Sequence, residues 1–128
     1  MSWELNNEKP IFIQLEEKIK RDIINGVYPP GSKLPTVREL AFDASVNPNT
    51  MQKALINLEK DNLVITQRTT GRFVTNDNEI IENVKESLSI ELSRNYINSL
   101  LSLGYKKEEA VKVLEKYINT EEGQDDGK

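Results

Sequence analysis

The first part of the chain carries apolar residues at the spacing of one helix face. Leu15, Ile19 and Ile23 recur at intervals of four residues, which is the pattern of an amphipathic helix. Pro10 suits a first helical position and Gly26 suits a helix end, so the helix is predicted between them. The paired prolines after it lack backbone donors, and the segment that contains them is predicted to be a tight connector.

Two further helices are predicted, separated by a short turn. Thr36 and Glu39 have the spacing of a capping box, in which each side chain bonds the other residue's amide, so a helix is predicted from Thr36 to about Ala44. Asn47 and Pro48 repeat the start signal, as N-cap and first helical residue. The apolar face of this third helix consists of Met51, Ala54, Leu55 and Leu58.

The pattern changes from helical to β-prone after the third helix. Residues 63–66 and 72–75 are runs of β-prone side chains, and residues 67–71 between them suit a turn. A small hairpin, or wing, is predicted here. Three helices followed by a wing, with a short turn between the second and third helices, form the winged helix-turn-helix.

The last part of the chain returns to helical spacing. A long helix is predicted from Glu79 to Leu103, where Gly104 stops it, and a final amphipathic helix ends near Ile118. In the later half of the long helix the apolar face widens, which indicates contact on two sides. The residues that widen it are Ile90, Ile97 and Leu101.

The predicted fold class is mainly α with a small β-hairpin, as a winged helix-turn-helix followed by a two-helix appendage. The first domain is placed at residues 1–77 and the appendage at residues 78–118. Residues 119–128 are acidic, contain glycine and are predicted to be disordered.

The composition makes catalysis the minority interpretation. The chain has neither histidine nor cysteine, which most often serve as general base, nucleophile or metal ligand. No metal-ligand spacing and no glycine-rich phosphate loop is present, so no enzyme, no metal and no cofactor is predicted. The N-terminus lacks signal-peptide features and no stretch reaches the ~20 apolar residues of a membrane span. A cytoplasmic protein with no membrane partner is therefore expected.

The charge is divided unevenly along the chain. The formal net charge is −4, whereas nucleic-acid binders usually present a basic surface. Residues 1–78 contain ten Lys and Arg against ten Asp and Glu, and residues 79–128 contain seven against eleven. The whole deficit lies in the last part, so the first part can still present a local basic face.

Two runs of residues in the predicted helices are distinctive in type and order. The first consists of Pro10, Ile11, Phe12, Gln14, Ile19, Ile23, Gly26, Pro30, Gly31, Leu34, Pro35, Thr36, Arg38, Leu40 and Ala41. The second consists of Val46, Asn47, Pro48, Asn49, Thr50, Met51, Gln52, Lys53, Ala54, Leu58 and Glu59. With these residues the chain resembles the GntR family of bacterial regulators over about residues 10 to 75. The second run and the short appendage are similar to the YtrA-type branch of that family.

The resemblance implies that the third helix enters the major groove of a double-stranded DNA operator. The wing would then lie on the adjacent minor groove or backbone. Asn and Gln amides suit base edges, and Lys and Arg side chains suit phosphates. The residues expected to contact DNA are Lys33, Thr36, Arg38, Asn47, Asn49, Thr50, Gln52, Lys53, Arg68, Thr70, Gly71 and Arg72. Pure capping stays open for Asn47, and a purely structural strand position stays open for Arg72.

Two departures from the family pattern bear on these contacts. Many wings of the family have a second glycine where this chain has Thr69, so that only Gly71 remains. The recognition helix often carries Arg where this chain has Pro48 and Gln52. Base reading is therefore expected to rely on amides more than on guanidinium groups.

The appendage is expected to make the protein a homodimer. It presents more apolar surface than two helices of one protomer can bury, and a partner subunit would cover that surface. A two-fold dimer implies an inverted-repeat operator, and the family resemblance implies a repressor. The expected dimerisation residues are Ile81, Val84, Leu88, Leu92, Ile97, Leu101 and Leu114.

Two alternative functions stay open. Winged helices also serve as protein-binding modules, which would not need Arg38, Lys53 and Arg68 on one face. The other alternative is a ligand sensor with an effector of unknown chemistry. Two helices of about forty residues in total cannot easily enclose a pocket of the usual ~300 to 1,000 Å³ within one protomer, so an effector would have to bind between subunits.

Overall fold

The computed structural model describes residues 3–120, and its elements follow the predicted order. They are α1 (Ile11–Ile24), α2 (Val37–Ala44), α3 (Pro48–Lys60), β1 (Val64–Gln67), β2 (Gly71–Val74), α4 (Asn78–Ser102) and α5 (Lys107–Ile118). The predicted mainly α fold with a small β-hairpin is confirmed. Pro10 is the N-cap of α1 rather than its first helical residue.

The chain divides into two compact units after Lys85. We call residues 3–85 the winged-helix unit and residues 86–120 the tail unit. The division lies beyond the expected boundary at residue 77, because the first turns of α4 complete the core of the winged-helix unit. Ile81 is only 7% exposed within that core, and Val84 packs against it. Ile81 is thus already covered within one protomer and Val84 is partly covered, which favours a core role for both over the expected dimerisation role.

The core of the winged-helix unit lies between α1, α3 and the hairpin. Leu15 and Ile19 of α1 meet Met51 and Leu58 of α3, and all four are fully buried. Each large aliphatic side chain that is fully buried stabilises the unit by about 1.5 to 3 kcal/mol. The apolar stripes of the sequence thus form one shared core, which leaves the polar face of α3 toward solvent.

The N-terminal segment is fastened to α1 by one side chain. The amide nitrogen of Gln14 donates to the carbonyls of Asn6 and Lys9, both at 2.8 Å. Its amide oxygen accepts from the backbone N–H of Asn6 at 2.9 Å. Trp3 packs against the core ahead of this clamp. Because the chain is held on both sides of Pro10, the first turn of α1 starts from an ordered segment.

The tail unit buries little of its apolar surface. The hydroxyl of Tyr96 on α4 donates to the carbonyl of Ala110 on α5 at 2.8 Å, and Ala110 is the only buried residue among the described residues of this unit. An open groove of about 500 Å³ runs along α4, lined in part by the stripe of Ile90, Ile97 and Leu101. The other predicted dimerisation residues of this unit are half-buried or exposed: Leu88, Leu92 and Leu114.

Two further expectations concern disorder at the end of the chain and the absence of a membrane-spanning helix. Asn119 caps the C-terminus of α5 by donating to the carbonyl of Glu115 at 3.1 Å. The predicted disorder after Ile118 otherwise falls on residues 121–128, which lie outside the described residues. Within residues 3–120, no helix combines the length and the apolar character that crossing a membrane requires.

Candidate nucleic-acid interface

The start of α3, the candidate recognition helix, is fixed by local hydrogen bonds. In the capping box of α2, the Thr36 hydroxyl accepts from the Glu39 amide at 3.1 Å and the Glu39 carboxylate accepts from the Thr36 amide at 2.9 Å. At α3 the side-chain oxygen of Asn47 accepts from the Asn49 amide at 2.7 Å, and Pro48 follows at the first helical position. Both predicted caps are confirmed. Thr36 and Asn47 therefore already use their side-chain oxygens within the protein.

The turn between α2 and α3 depends on one left-handed residue. Ser45 ends α2 with φ of 59°, a conformation that favours glycine at helix ends. The Val46 amide then donates back to the Ala41 carbonyl at 3.0 Å. This reversal lets α3 begin directly after α2 and sets the two helices of the motif against each other.

The polar face of α3 holds the candidate base-reading residues. Met51 on the opposite face is fully buried, whereas Asn49, Gln52 and Lys53 are exposed and Thr50 is partly buried. A helix that enters the major groove must present its polar side chains in this way. The three exposed residues thus lie where the sequence pattern placed them.

An apolar side chain that sequence reasoning did not single out lies beside this motif. Phe42 of α2 is 86% exposed. It lines an open concavity of about 1020 Å³ together with Arg38, Val46 and Pro48. Arg38 is exposed in the first turn of α2, as predicted. The concavity therefore adjoins the candidate interface on the side of the α2–α3 turn.

Lys53 has a second feature that the sequence pattern did not reveal. Its ammonium nitrogen lies 3.9 Å from the centroid of the Phe12 ring in the first turn of α1. Phe12 stands three residues before Leu15, a spacing typical of an ordinary core position. A contact between α1 and the exposed face of α3 depends on the packing of the two helices, which the pattern does not contain.

The wing tip brings Lys33 and Gly71 together. β1 and β2 pair antiparallel with Gln67 opposite Gly71, and Lys33 adds a bridge to Phe73 of β2. A Cβ atom added to Gly71, whose φ is +122°, would lie 2.9 Å from Cε of Lys33. Glycine thus provides both the backbone conformation and the space for this side chain to cross the wing.

The turn of the wing also explains the departure from the family's glycine pattern. Thr69 stands where the first glycine is often found, and it keeps a left-handed backbone with φ of 65°. Such a conformation is unfavourable for a β-branched residue. Arg68 and Thr70 flank it and are exposed. Thr69 therefore adopts a strained conformation that a glycine would adopt without strain.

Arg72 is paired within the protein, which favours the structural role that the sequence leaves open for it over a phosphate contact. Its Nε donates to the carboxylate of Glu59 on α3 at 2.8 Å, and the two side chains are only 18% and 27% exposed. The hydroxyl of Thr66 donates to the same carboxylate oxygen. Glu59 thus ties both strands of the wing to α3. Sequence spacing could not reveal this bridge, because it joins residues from three separate elements.

The remaining predicted cations keep their charge. Within residues 3–120, the other lysines and arginines of the expected DNA-contact set form no salt bridge to a described carboxylate. They are exposed side chains at the ends of α2, along α3 and on the wing. These four residues are Lys33, Arg38, Lys53 and Arg68. The four charges are therefore exposed and without a carboxylate partner among the described residues, and their arrangement as one basic face stays a prediction.

Two titratable groups with shifted pKa values belong to the scaffold rather than to this face. Partial burial raises the pKa of Glu16 on α1, against the nearby charge of Lys20, which lowers it. Burial also raises the pKa of the Tyr28 phenol, and the carboxylates of Asp22 and Asp43 add to the shift. Neither group is among the expected DNA contacts.

Comparisons with known proteins agree with this geometry. A family model described as bacterial regulatory proteins, gntR family, matches residues 13–74. The chain is 34% identical over 109 residues to the HTH-type transcriptional regulator YhcF of Bacillus subtilis. This match covers 85% of this chain and 90% of YhcF. It is 38% identical over 79 residues to the HTH-type transcriptional repressor YtrA of the same organism, over 62% of this chain and 56% of YtrA.

Solved structures show the same fold. A GntR family transcriptional regulator from Listeria monocytogenes has a TM-score of 0.80 at 36% identity, covering 88% of this chain and 98% of that protein. The DNA-binding domain of AraR, solved in complex with operator ORX1, has a TM-score of 0.54 at 27% identity. That match covers 59% of this chain and 99% of the AraR domain.

Proposed function

The chain belongs to the gntR family of bacterial regulatory proteins and is a DNA-binding transcriptional regulator, and we propose that it acts as a homodimeric repressor on an inverted-repeat operator. In this proposal α3 lies in the major groove of each half-site, and the wing lies on the adjacent minor groove or backbone. The AraR domain, which is bound to an operator in its structure, supports DNA as the partner.

One observation carries the proposal: α3 has an exposed polar face, and the neighbouring elements of the same unit carry exposed cations without carboxylate partners. Asn49 and Gln52 are exposed on α3 and can bond base edges. Lys33, Arg38 and Arg68 are exposed on the segment before α2, on α2 and on the wing, without salt bridges to the described carboxylates. Cations that neutralise phosphates hold the protein on the duplex, and the amides then read the bases.

The other expected contacts receive narrower roles. Thr36 and Asn47 each use their side-chain oxygen to accept a capping bond, so their DNA contacts are proposed through the Thr36 hydroxyl proton and the Asn47 amide N–H groups. Thr50, Thr70 and Gly71 contribute small polar or backbone contacts. Arg72 acts through Glu59 as a support of the wing rather than as a phosphate ligand.

The tail unit supports the homodimer. Leu92 and Leu101 are 50% and 43% exposed, and the Ile90–Leu101 stripe lines an open groove. Apolar area left in water forgoes about 25 cal/mol per Å², so a second copy that covers this face gains binding energy. The dimerisation residues proposed for the tail unit lie on two sides of α4 and on α5, and they are Leu88, Ile90, Leu92, Ile97, Leu101 and Leu114.

Repression, location and lack of catalysis are parts of the same proposal. The relative YtrA is named a transcriptional repressor, which supports repression. Family membership supports action in the cytoplasm, where bacterial DNA is located, and a regulatory rather than an enzymatic role. A dimer on an operator can block access to a promoter without a further domain.

A salt titration tests the DNA function and the dimer together. If each protomer neutralises about four phosphates, the dimer neutralises about eight. A plot of the logarithm of the binding constant against the logarithm of the salt concentration then has a slope of about −7. Fluorescence anisotropy with a labelled duplex gives this slope, and sedimentation gives the state of the protein. A slope near zero contradicts DNA binding, and a monomer with a slope near about −4 contradicts only the dimer.

A protein-binding module is the second candidate, and Phe42 is the observation that favours it. A phenylalanine exposed beside Val46 and Pro48 is a common feature of protein contact surfaces. Phe42→Ala distinguishes the two functions, because the change leaves the cations of the DNA face untouched. Unchanged DNA affinity and salt slope support the DNA function, whereas a chain with no salt-dependent DNA binding favours the protein module.

A further inference from the structure

Lys53 is an exposed cation of α3 whose ammonium lies over an aromatic ring of α1. The distance from Nζ to the centroid of the Phe12 ring is 3.9 Å, within the ~6 Å range in which the face of a ring attracts a cation. Phe12 is partly buried, and the segment before it is clamped by Gln14. The ring is therefore held in position by the fold, and the flexible side chain of Lys53 can pack against it.

A second lysine over an aromatic ring shows why the first is unusual. Nζ of Lys18 lies 5.7 Å from the centroid of Trp3, and it also forms a salt bridge with Asp22 at 2.9 Å. The carboxylate compensates the charge of Lys18. Lys53 has no salt bridge to a carboxylate within residues 3–120. An aromatic face orients an ammonium without cancelling its charge, so Lys53 is both placed and still able to pair with an anion.

The position of Lys53 on α3 directs that charge toward the groove-facing end of the helix. Long side chains on a helix lean toward the N-terminus of their own helix. Asn49 lies one turn before Lys53, in the part of α3 where free amides and the helix dipole also attract phosphate. The ammonium thus adds a charge on the side of α3 that faces Phe12 of α1.

We propose that Phe12 is a positioning residue for DNA binding, whose ring holds the Lys53 ammonium ready to pair with a backbone phosphate. The proposal rests on the DNA function proposed above. A lysine that is free in solvent loses rotamer freedom when it pairs with a phosphate, and this loss opposes binding. A ring that already restricts the side chain reduces the loss.

A double-mutant cycle on a labelled DNA duplex of mixed sequence tests the coupling. Phe12→Leu removes the aromatic face and keeps an apolar side chain, and Phe12→Tyr keeps the face. Phe12→Leu is expected to weaken binding about two- to five-fold, the size of an exposed cation–π contact, and Phe12→Tyr to leave it unchanged. In a Lys53→Gln background, Phe12→Leu is expected to have no further effect, because the cation is absent.

The salt dependence separates positioning from charge. Lys53→Gln is expected to reduce the magnitude of the log–log slope by about one per protomer, because one phosphate contact is lost. Phe12→Leu is expected to leave the slope unchanged, since the charge is still present. Thermal unfolding of each variant verifies that the winged-helix unit remains folded at the temperature of the titration.

A measurement without DNA tests the contact itself. The ε-methylene protons of Lys53 are expected to be shifted upfield by the ring current in the wild type and in Phe12→Tyr, and to lose that shift in Phe12→Leu. Methylene signals at unshifted positions in the wild type overturn the proposal. So does an equal loss of affinity from Phe12→Leu in both backgrounds, which indicates general packing.

The proposal and the underlying function fail in distinguishable ways. A wild-type protein with steep salt dependence and a Lys53→Gln variant with the same slope overturn the role of Phe12 and leave the DNA function intact. A wild-type protein that binds no duplex at any salt concentration overturns both.

Discussion

The winged-helix unit and the tail unit bury their apolar residues to very different extents. In the first, Leu15, Ile19 and Leu58 are completely buried by one another and by their neighbours. In the second, no described large apolar residue is buried, and Leu92 and Leu101 are about half exposed. The first unit therefore holds a complete core within one protomer. The second leaves its apolar residues for a partner to cover, which is the role that the proposed homodimer gives them.

Cutting the chain after Lys85 is expected to give the largest effect and to separate the two units. Residues 1–85 keep Ile81 and Val84, so this fragment should be folded and monomeric. Its operator affinity should fall by about 10² to 10⁴, because two linked half-site contacts become two independent ones. Light scattering and a mobility-shift titration measure both properties.

A shorter fragment that ends at Asp77 provides the control. It lacks Ile81, which is nearly buried in the core, and Val84, which packs against that core. We expect this fragment to be less stable than residues 1–85 toward urea. A dimeric 1–85 fragment, or equal stability of the two fragments, would contradict the boundary at Lys85.

Leucine truncations in the two units should have different consequences. Leu58→Ala in residues 1–85 is expected to lower the free energy of unfolding by about 2 to 5 kcal/mol, because it opens a cavity in a closed core. Leu101→Ala in the full chain is expected to weaken the dimer and to leave the winged-helix unit within about 0.5 kcal/mol of its original stability. Urea denaturation and analytical ultracentrifugation check the pair. If both variants destabilise the winged-helix unit to a similar extent, the difference proposed between the two units is contradicted.

Discrimination between DNA sequences is expected to depend on the winged-helix unit alone. Gln52→Ala is expected to weaken binding to a selected operator by about 1 to 3 kcal/mol and to change binding to mixed-sequence DNA little. Arg38→Ala should weaken binding to both DNAs, as a phosphate contact does. Leu101→Ala should leave the ratio of the two affinities unchanged. If Gln52→Ala weakens both DNAs equally, its amide contacts the backbone only.

The bridge from α3 to the wing should give the smallest effect. Glu59→Gln is expected to lower the free energy of unfolding by no more than about 1 kcal/mol, which is typical of a partly exposed ion pair. Glu17→Gln is the matched control, because it removes the more exposed pair of Lys9 and Glu17. Urea denaturation at low and high salt measures both, and a larger effect from Glu17→Gln would contradict the supporting role of Glu59.

Local signals were read correctly from the sequence, and long-range contacts were not. The caps at Thr36 and Asn47 depend on residues two or three positions away, so their spacing alone predicts them. The sequence predicts a DNA contact for Arg72 because it is a cation of the wing, and the pattern does not reveal its partner Glu59, which lies thirteen residues earlier on another element. Ile81 was assigned to the dimer because its helical spacing continues into the tail unit. In both cases the packing of elements, rather than their pattern, determines the role.

The position of Trp3 gives the two units separate optical signatures. It is the only tryptophan of the chain, and it packs on the core of the winged-helix unit. Three of the four tyrosines, at positions 96, 105 and 117, lie in the tail unit. Emission excited selectively through the indole therefore reports on the DNA-binding unit alone, whereas most of the phenol signal arises from the associating unit. Dissociation of subunits and melting of the recognition motif can thus be followed in the same sample without an introduced label.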